Sequence, residues 1–344
     1  MAQSNAEAEK LYTRRYARMI SPLFALLLLS SATAQNLQPV ITAINPASAP
    51  TLGAAAFIVQ GSNFGTDKTV LNLTLGSAQC QISYVFGSVL LATPLPAGVG
   101  RGLNVVLQAT DTFSGQTSSC IYPQSFSYYA PVLNSLSPQV IPTSGQSQVT
   151  IYGQYFGINN YAPTISIIGG TSPSRVSWVS DTSIVCVFPP GAGAGKSLSL
   201  QVGQQFVTSN NIFSYASPQV SGVNPSTFLA VGSQFANVTG LGFAVFDASA
   251  VVYVGGTRVL SSFWSSDTSI FIKTGSGVGI SKDLAVTVAG QVGTKASCVS
   301  YYPPSPLQLK PSVLRTDGST ILTVFGSNFG KIFVYDQDMP ANFW

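Results

Sequence analysis

Gly61-Ser62-Asn63-Phe64-Gly65 decides the reading of this chain, because it returns as Gly153-Gln154-Tyr155-Phe156-Gly157, Gly240-Leu241-Gly242-Phe243-Ala244 and Gly326-Ser327-Asn328-Phe329-Gly330. Each copy opens fifteen residues after a proline, Pro46, Pro138, Pro225 or Pro311. Those prolines close short segments ending Ile44-Asn45, Leu136-Ser137, Val223-Asn224 and Leu309-Lys310, and they lie 92, 87 and 86 residues apart. An offset kept four times marks repeated structural units of about 90 residues each.

Working outward, other landmarks keep the spacing. Gly169-Gly170-Thr171 and Gly255-Gly256-Thr257 are 86 apart, as are Trp178 and Trp264, and Ser180-Asp181-Thr182-Ser183-Ile184 and Ser266-Asp267-Thr268-Ser269-Ile270. The units close on Phe126-Ser127-Tyr128, Phe213-Ser214-Tyr215 and Val299-Ser300-Tyr301, followed by Pro131, Pro218 and Pro303-Pro304. Proline has no N–H to give a ladder, so it suits strand ends and joints. Inside a unit the apolar period is two, as in Leu198-Ser199-Leu200-Gln201-Val202 and Leu284-Ala285-Val286-Thr287-Val288. That period sets one strand face on a core and the other toward water. Strands of about six residues between Gly, Asn, Ser and Pro clusters predict β-sandwiches of about seven strands. The Phe of each Gly-x-x-Phe motif is expected to plug a sandwich end, with its first Gly serving a turn at positive φ.

Composition points the same way. The 344 residues are 45% hydrophobic and only 8% charged, against about 25% charged in an average soluble protein. Exposed helix faces draw on Glu, Lys and Arg, so this chain favours strands. Four of its 15 basic and two of its 11 acidic residues lie in the first 34, leaving 11 against nine beyond them. The 11 are scattered singly from Lys68 to Lys331, which excludes the clustered cations that nucleic acid requires. Histidine is absent, which excludes Ser-His-Asp and Cys-His nucleophiles and His-ligated zinc. Beyond residue 34 the carboxylates are nine Asp and no Glu. Most are single and at turn-like positions, and Asp181 and Asp267 recur in equivalent places, the pattern of a turn or cap. No carboxylate pair marks glycosidase chemistry. Asp336-Gln337-Asp338 lacks calcium-loop spacing. The expectation is a protein that is not an enzyme, with no cofactor and no metal.

At the N-terminus Arg14, Arg15 and Arg18 precede Phe24-Ala25-Leu26-Leu27-Leu28-Leu29, and Ala32-Thr33-Ala34-Gln35 follows. A positive flank, a short apolar core and an A-x-A site make residues 1–34 an expected secretory signal peptide, cut after Ala34. Met19 is an alternative start. The segment from Met19 to Ala34 contains Pro22 and several Ser and falls short of the ~20 apolar residues of a membrane span; no later segment reaches that length. The expected location is secreted, or the extracellular face of the plasma membrane.

Together these motifs resemble the IPT/TIG domain, the immunoglobulin-like module shared by plexins, transcription factors and many surface receptors. The resemblance implies an all-β chain of tandem immunoglobulin-like β-sandwiches of the E-set type, three complete and one truncated. The copies run over 38–131, 132–218 and 219–304, with an incomplete fourth over 305–344. A partial sandwich leaves strand edges and an apolar face unpaired; the expectation is a fragment of a longer protein, the alternative a poorly ordered tail. The resemblance also implies a cell-surface binding or adhesion module, part of a receptor-like protein, with an extracellular protein or glycan as ligand. The expected export signal and scattered cations argue against nucleic acid as a partner. The family often carries a Cys pair between the strand after Gly-Gly and the Ser-x-Thr-x-Ile strand. The matching positions here are Cys80 and Leu91, Ser174 and Cys186, Leu260 and Ile272, so no copy keeps both.

Four cysteines, Cys80, Cys120, Cys186 and Cys298, allow three pairings. Cys80 with Cys120, both in the first copy, is the favoured disulfide; Cys186 reads as a small core residue. Asn72-Leu73-Thr74 and Asn237-Val238-Thr239 are glycosylation sequons, so Asn72 and Asn237 are candidate sites of a glycoprotein. Pro225 rules out Asn224. The alternative function is a secreted carbohydrate-binding protein, stacking sugars on Trp178, Trp264, Tyr128-Tyr129 or Tyr301-Tyr302. A Trp that recurs at repeat spacing is more often core than platform.

Overall fold

The computed structural model describes residues 38–53, 56–65 and 69–330. The expected signal over residues 1–34 and the pair Asp336 and Asp338 lie outside them. Every regular element among the described residues is a strand. The chain forms two compact units, Met1–Ala130 and Pro131–Trp344. The first holds one sandwich; the second holds two sandwiches and a hairpin.

The first sandwich comprises β1 (Val40–Asn45), β2 (Ser48–Ala49), β3 (Phe57–Ser62), β4 (Thr69–Leu75), β5 (Ala78–Cys80), β6 (Ile82–Phe86), β7 (Val89–Ala92), β8 (Leu103–Asp111) and β9 (Thr117–Tyr128). Its sheets run β1-β3-β7-β6 and β2-β9-β8-β4-β5. The second sandwich comprises β10 (Val132–Ser137), β11 (Val140–Ile141), β12 (Gln148–Gln154), β13 (Thr164–Ile167), β14 (Arg175–Ser180), β15 (Ser183–Val187), β16 (Lys196–Val202) and β17 (Gln205–Tyr215). Its sheets run β10-β12-β15-β14 and β11-β17-β16-β13. The third comprises β18 (Gln219–Asn224), β19 (Thr227–Phe228), β20 (Phe235–Leu241), β21 (Val251–Val254), β22 (Thr257–Arg258), β23 (Ser261–Ser266), β24 (Ser269–Lys273), β25 (Lys282–Val288) and β26 (Gln291–Tyr301). Its sheets run β18-β20-β24-β23 and β19-β26-β25-β21-β22.

The recurring proline sits where the chain changes sheets. β1, β10 and β18 end immediately before Pro46, Pro138 and Pro225, each of which follows a cis peptide bond. Proline ends the ladder because it lacks a donor. The next two-residue strand, β2, β11 or β19, then joins the opposite sheet, parallel to the last strand of its repeat. One strand's worth of sequence thus serves both sheets and ties the opening of each unit to its close.

The cores fill equal space with different side chains. Ala49 and Phe57 of the first sandwich stand where the second has Ile141 and Val149 and the third has Phe228 and Ala236; all six are buried. Volume lost at one position is regained at the other, as close packing demands. The second core stacks Phe213 edge-on between Phe188 and Tyr215, with centroids 4.9 and 5.7 Å away. In the third, Thr274 and Val299 replace Phe188 and Phe213, and Phe228 meets Tyr301 at 5.9 Å. Burying a side chain of this size contributes about 2–3 kcal/mol, so every unit can hold itself together by its own core. One residue crosses over: Ala192 of the second sandwich belongs to the core of the third.

The hairpin of β27 (Ser305–Lys310) and β28 (Thr323–Ser327) repeats the opening of a sandwich. Its register shifts between Pro306 and Gln308, as the earlier pairs shift between Ile41 and Ala43, Leu133 and Ser135, and Val220 and Gly222. Val324 is 46% exposed, whereas Val238 at the same place in the third repeat is fully buried.

Candidate interaction surfaces

In the three sandwiches the repeated motif is a structural plug, whereas Phe329 of the fourth copy is 49% exposed, and the glycines divide the work differently from the expectation. Gly61, Gly153 and Gly240 do not adopt positive φ. They are needed for space: a Cβ would stand 1.9–2.2 Å from the carbonyl oxygens of Val40, Val132 or Gln219 and 2.4–2.7 Å from the ring of Phe64, Phe156 or Phe243. Those rings are buried to within 3%. The left-handed backbone comes later, at Asn63, Tyr155 and Gly242 and again at Gly65, Gly157 and Ala244.

The sugar platforms read from the sequence are mostly braces. Trp178 and Trp264 are half-buried. The Trp178 indole N–H donates to Gly157 O, and that of Trp264 to Phe243 O and Ala244 O, all at 3.1 Å. Each indole therefore pins the loop after the Phe plug. Tyr128, Tyr215 and Tyr301 are buried. The Tyr128 hydroxyl donates to Pro96 O at 2.6 Å and that of Tyr215 to Pro189 O at 3.0 Å. Gly98, Gly191 and Gly277 lie against the three rings, where a Cβ would come within 2.2–2.7 Å. Burial raises the Tyr215 and Tyr301 pKa values above the ordinary phenol. Only Tyr129 and Tyr302 of the expected pairs are exposed.

Asp181 and Asp267 keep the same backbone role but use their carboxylates differently. Their carbonyls accept from Phe156 N and Phe243 N, both at 3.0 Å. Asp181 Oδ1 accepts from Gly157 N at 2.7 Å, inside its own repeat. Asp267 Oδ1 accepts from the buried Thr143 hydroxyl at 2.6 Å, reaching back to the second sandwich. Gln291 Nε2 adds a bond to Tyr215 O at 3.0 Å. A cleft of about 380 Å³ at this joint is lined by Lys196, Tyr215, Phe246 and Ala289 among others.

All four cysteines are free thiols, and the expected Cys80–Cys120 bridge does not fit. Cys80 pairs with Leu73, Leu73 with Leu107, and Leu107 with Cys120. The two thiols are three strand spacings apart, about 14 Å at the usual sheet repeat, and a bridge needs Cα atoms within about 7 Å. Their placement in one repeat suggested proximity; two intervening strands remove it. Burial pushes the Cys80 thiol up to about 11 and that of Cys186 to about 12. Both are packed as small apolar groups and have little thiolate for chemistry.

The outward rows on the sheet that opens each sandwich differ from repeat to repeat. Across β3, β7 and β6 the row is Ile58, Leu91, Tyr84, with Phe86 on the same edge. Tyr84 and Phe86 are exposed and nearly parallel, 6.3 Å apart at 16°. Across β12, β15 and β14 it is Thr150, Val185, Ser177. Across β20, β24 and β23 it is Asn237, Phe271, Phe263. Both sequon asparagines therefore lie on strands, Asn72 on β4 and Asn237 on β20. Nothing in the spacing of the sequence distinguished these rows, because they join strands far apart in the chain.

Among the described residues no three His, Cys, Asp or Glu side chains gather as a metal site, and no helix is long and apolar enough to cross a membrane. The IPT/TIG domain family matches residues 39–128, 131–215 and 218–302. Mouse fibrocystin-L is 26% identical over 297 residues, covering 86% of this chain and 7% of its own length. Human plexin-B3 is 28% identical over 217 residues, 60% of this chain and 11% of its own. The chain thus spans about a tenth of the length of these curated relatives. A protein solved with a xylogluco-oligosaccharide aligns with a TM-score of 0.37 at 16% identity, over 82% of this chain and 67% of its own.

Proposed function

Because the chain belongs to the IPT/TIG domain family, we propose that it is a non-catalytic binding module of a receptor-like protein, working outside the cell or on its outer surface. One observation carries this reading. The Phe plug and the buried Tyr recur in all three sandwiches and the Trp brace in the second and third, while the outward row changes from Ile58, Leu91 and Tyr84 to Thr150, Val185 and Ser177 and then to Asn237, Phe271 and Phe263. A scaffold that repeats its end plug and its Tyr anchor while its outer faces differ is suited to recognition, since binding chemistry is grafted onto the fold and not specified by it. Exposed aromatic residues are the side chains from which interface hot spots are most often built. The ligand would be an extracellular protein.

The test clusters the full chain on fluorescent beads and applies them to intact animal cells. Binding is expected, is expected to fall when surface proteins are first stripped with protease, and should weaken at least tenfold in a Tyr84→Ser, Phe86→Ser variant. Beads that bind no better than albumin-coated beads would sink the reading. The near-parallel Tyr84 and Phe86 rings favour a carbohydrate as the second reading. Protease-resistant binding that depends on Tyr84, reproduced on an array of neutral oligosaccharides, would transfer the assignment to glycan.

A further inference from the structure

The third sandwich brings a sequon and an aromatic face together on one sheet. Asn237 on β20 is paired with Phe271 on β24, and Phe271 with Phe263 on β23. Phe235 precedes Asn237 by two residues and so shares its face, and Lys273 Nζ lies 5.9 Å from the Phe235 ring. Phe235, Phe263 and Phe271 are 64%, 55% and 47% exposed, a large apolar area to leave in water. The Asn237 amide is already oriented: its Oδ1 accepts the Ser269 hydroxyl at 2.7 Å. Thr239, which completes the sequon, is exposed on the same face.

We propose that Asn237 carries an N-linked glycan whose first sugar rings lie across Phe271 and Phe263, so that the chain's own carbohydrate covers this face. The proposal rests on the extracellular reading above, since transfer occurs on export. In that transfer the anomeric C1–O bond to a lipid-linked pyrophosphate oligosaccharide breaks and a C1–Nδ2 bond forms. The Asn237 nitrogen gives up one proton and the lipid pyrophosphate departs. Oδ1 is untouched, so the Ser269 bond survives. Directly paired side chains stand about 5 Å apart at Cβ, so a sugar leaving Asn237 across the sheet meets Phe271 first and Phe263 next. Asn72 offers neither feature. Its row continues to Gln108 and Ser119, and its Oδ1 is buried without a hydrogen-bond partner.

The experiment places the full chain behind a heterologous export signal in a eukaryotic secretory line and maps glycopeptides by mass spectrometry. Asn237 is expected to be occupied and Asn72 empty. The glycosylated protein should melt about 4 °C above Thr239→Ala, which removes the sequon and leaves the Asn237–Ser269 bond in place. That gain should vanish in Phe271→Val, Phe263→Ser, which installs the residues that the second sandwich carries at these places and therefore keeps the fold. A secreted chain bare at Asn237, or a gain that persists without the two rings, overturns the proposal. Because the heterologous signal enforces export, failure here leaves the bead-binding result to stand or fall by itself.

Discussion

From β12 through β15 to β14 the outward row of the second sandwich reads Thr150, Val185, Ser177; the matching row of the third reads Asn237, Phe271, Phe263. Directly beneath those rows the two sandwiches agree: Ile151 and Val238, Ile184 and Ile270 are fully buried, and Phe156 and Phe243 plug the same end. An inward side chain answers to every neighbour that close packing gives it. An outward one answers to water and to whatever docks there. The two aspartates show the same division within one residue type. The main chain at Asp181 and Asp267 does one job, while their carboxylates, free of the ladder, bond within the repeat in one case and to the neighbouring repeat in the other.

That contrast can be broken experimentally, and the joint gives the largest effect. Asp267→Ala removes a charge-assisted bond and leaves the Thr143 hydroxyl buried without its acceptor, a loss of about 2–3 kcal/mol. Calorimetry should show the second and third sandwiches unfolding in separate transitions where the native chain shows one. Asp181→Ala should lower stability without that separation, and a single transition in both variants would dismiss the distinction.

The next effect is on pH. Cys186 occupies the place of Ile272, so only the second sandwich has a thiol there. Burial raises that thiol from 9.0 to about 12. The folded pKa is above the unfolded one, so the contribution is complete below about pH 9 and is lost as pH rises toward 12. At pH 10.5 the loss is about 2 kcal/mol. Chemical denaturation at pH 8 and pH 10.5 should show this loss, and Cys186→Ala should shrink the alkaline loss by about that amount, with the part owed to Cys80 left in place; an unchanged loss in the variant would assign it elsewhere.

The smallest effect separates the two loops. Gly242 has φ 77° where Tyr155 has φ 64°. Gly242→Ala should cost about 1 kcal/mol of left-handed strain, read as a lower urea midpoint. The loop itself should persist, because its counterpart already bears a Cβ. A neutral substitution would mean that the glycine serves some other purpose.

Much of the fold was legible in the chain. The Gly-x-x-Phe spacing, the prolines at sheet changes and the period-two strands each report local geometry, and local geometry is written in neighbouring residues. The recurring Trp residues were read as core from the same spacing and are half-buried braces; the burial of Tyr128, Tyr215 and Tyr301 was not read from it. The interaction surface was not legible. Trp178 and Trp264 stood out as the largest aromatics, yet they are half-buried, while Tyr84, Phe86, Phe235, Phe263 and Phe271 are among the exposed rings and no motif flags them. The first glycine of each motif was identified correctly as necessary but for the wrong cause, since clearance from a carbonyl on another strand leaves no local signature.

By itself the sequence determined that sandwiches would form and which strand faces would be buried, because hydrophobic period and turn chemistry act over a few residues. Only the tertiary structure decided that Cys80 and Cys120 stand apart, that Asp267 bonds to Thr143, and that Asn237 lies beside Phe271. Those are relations between strands, fixed by sheet order and register, and such pairing brings together residues whose separation along the chain says nothing of their distance in space.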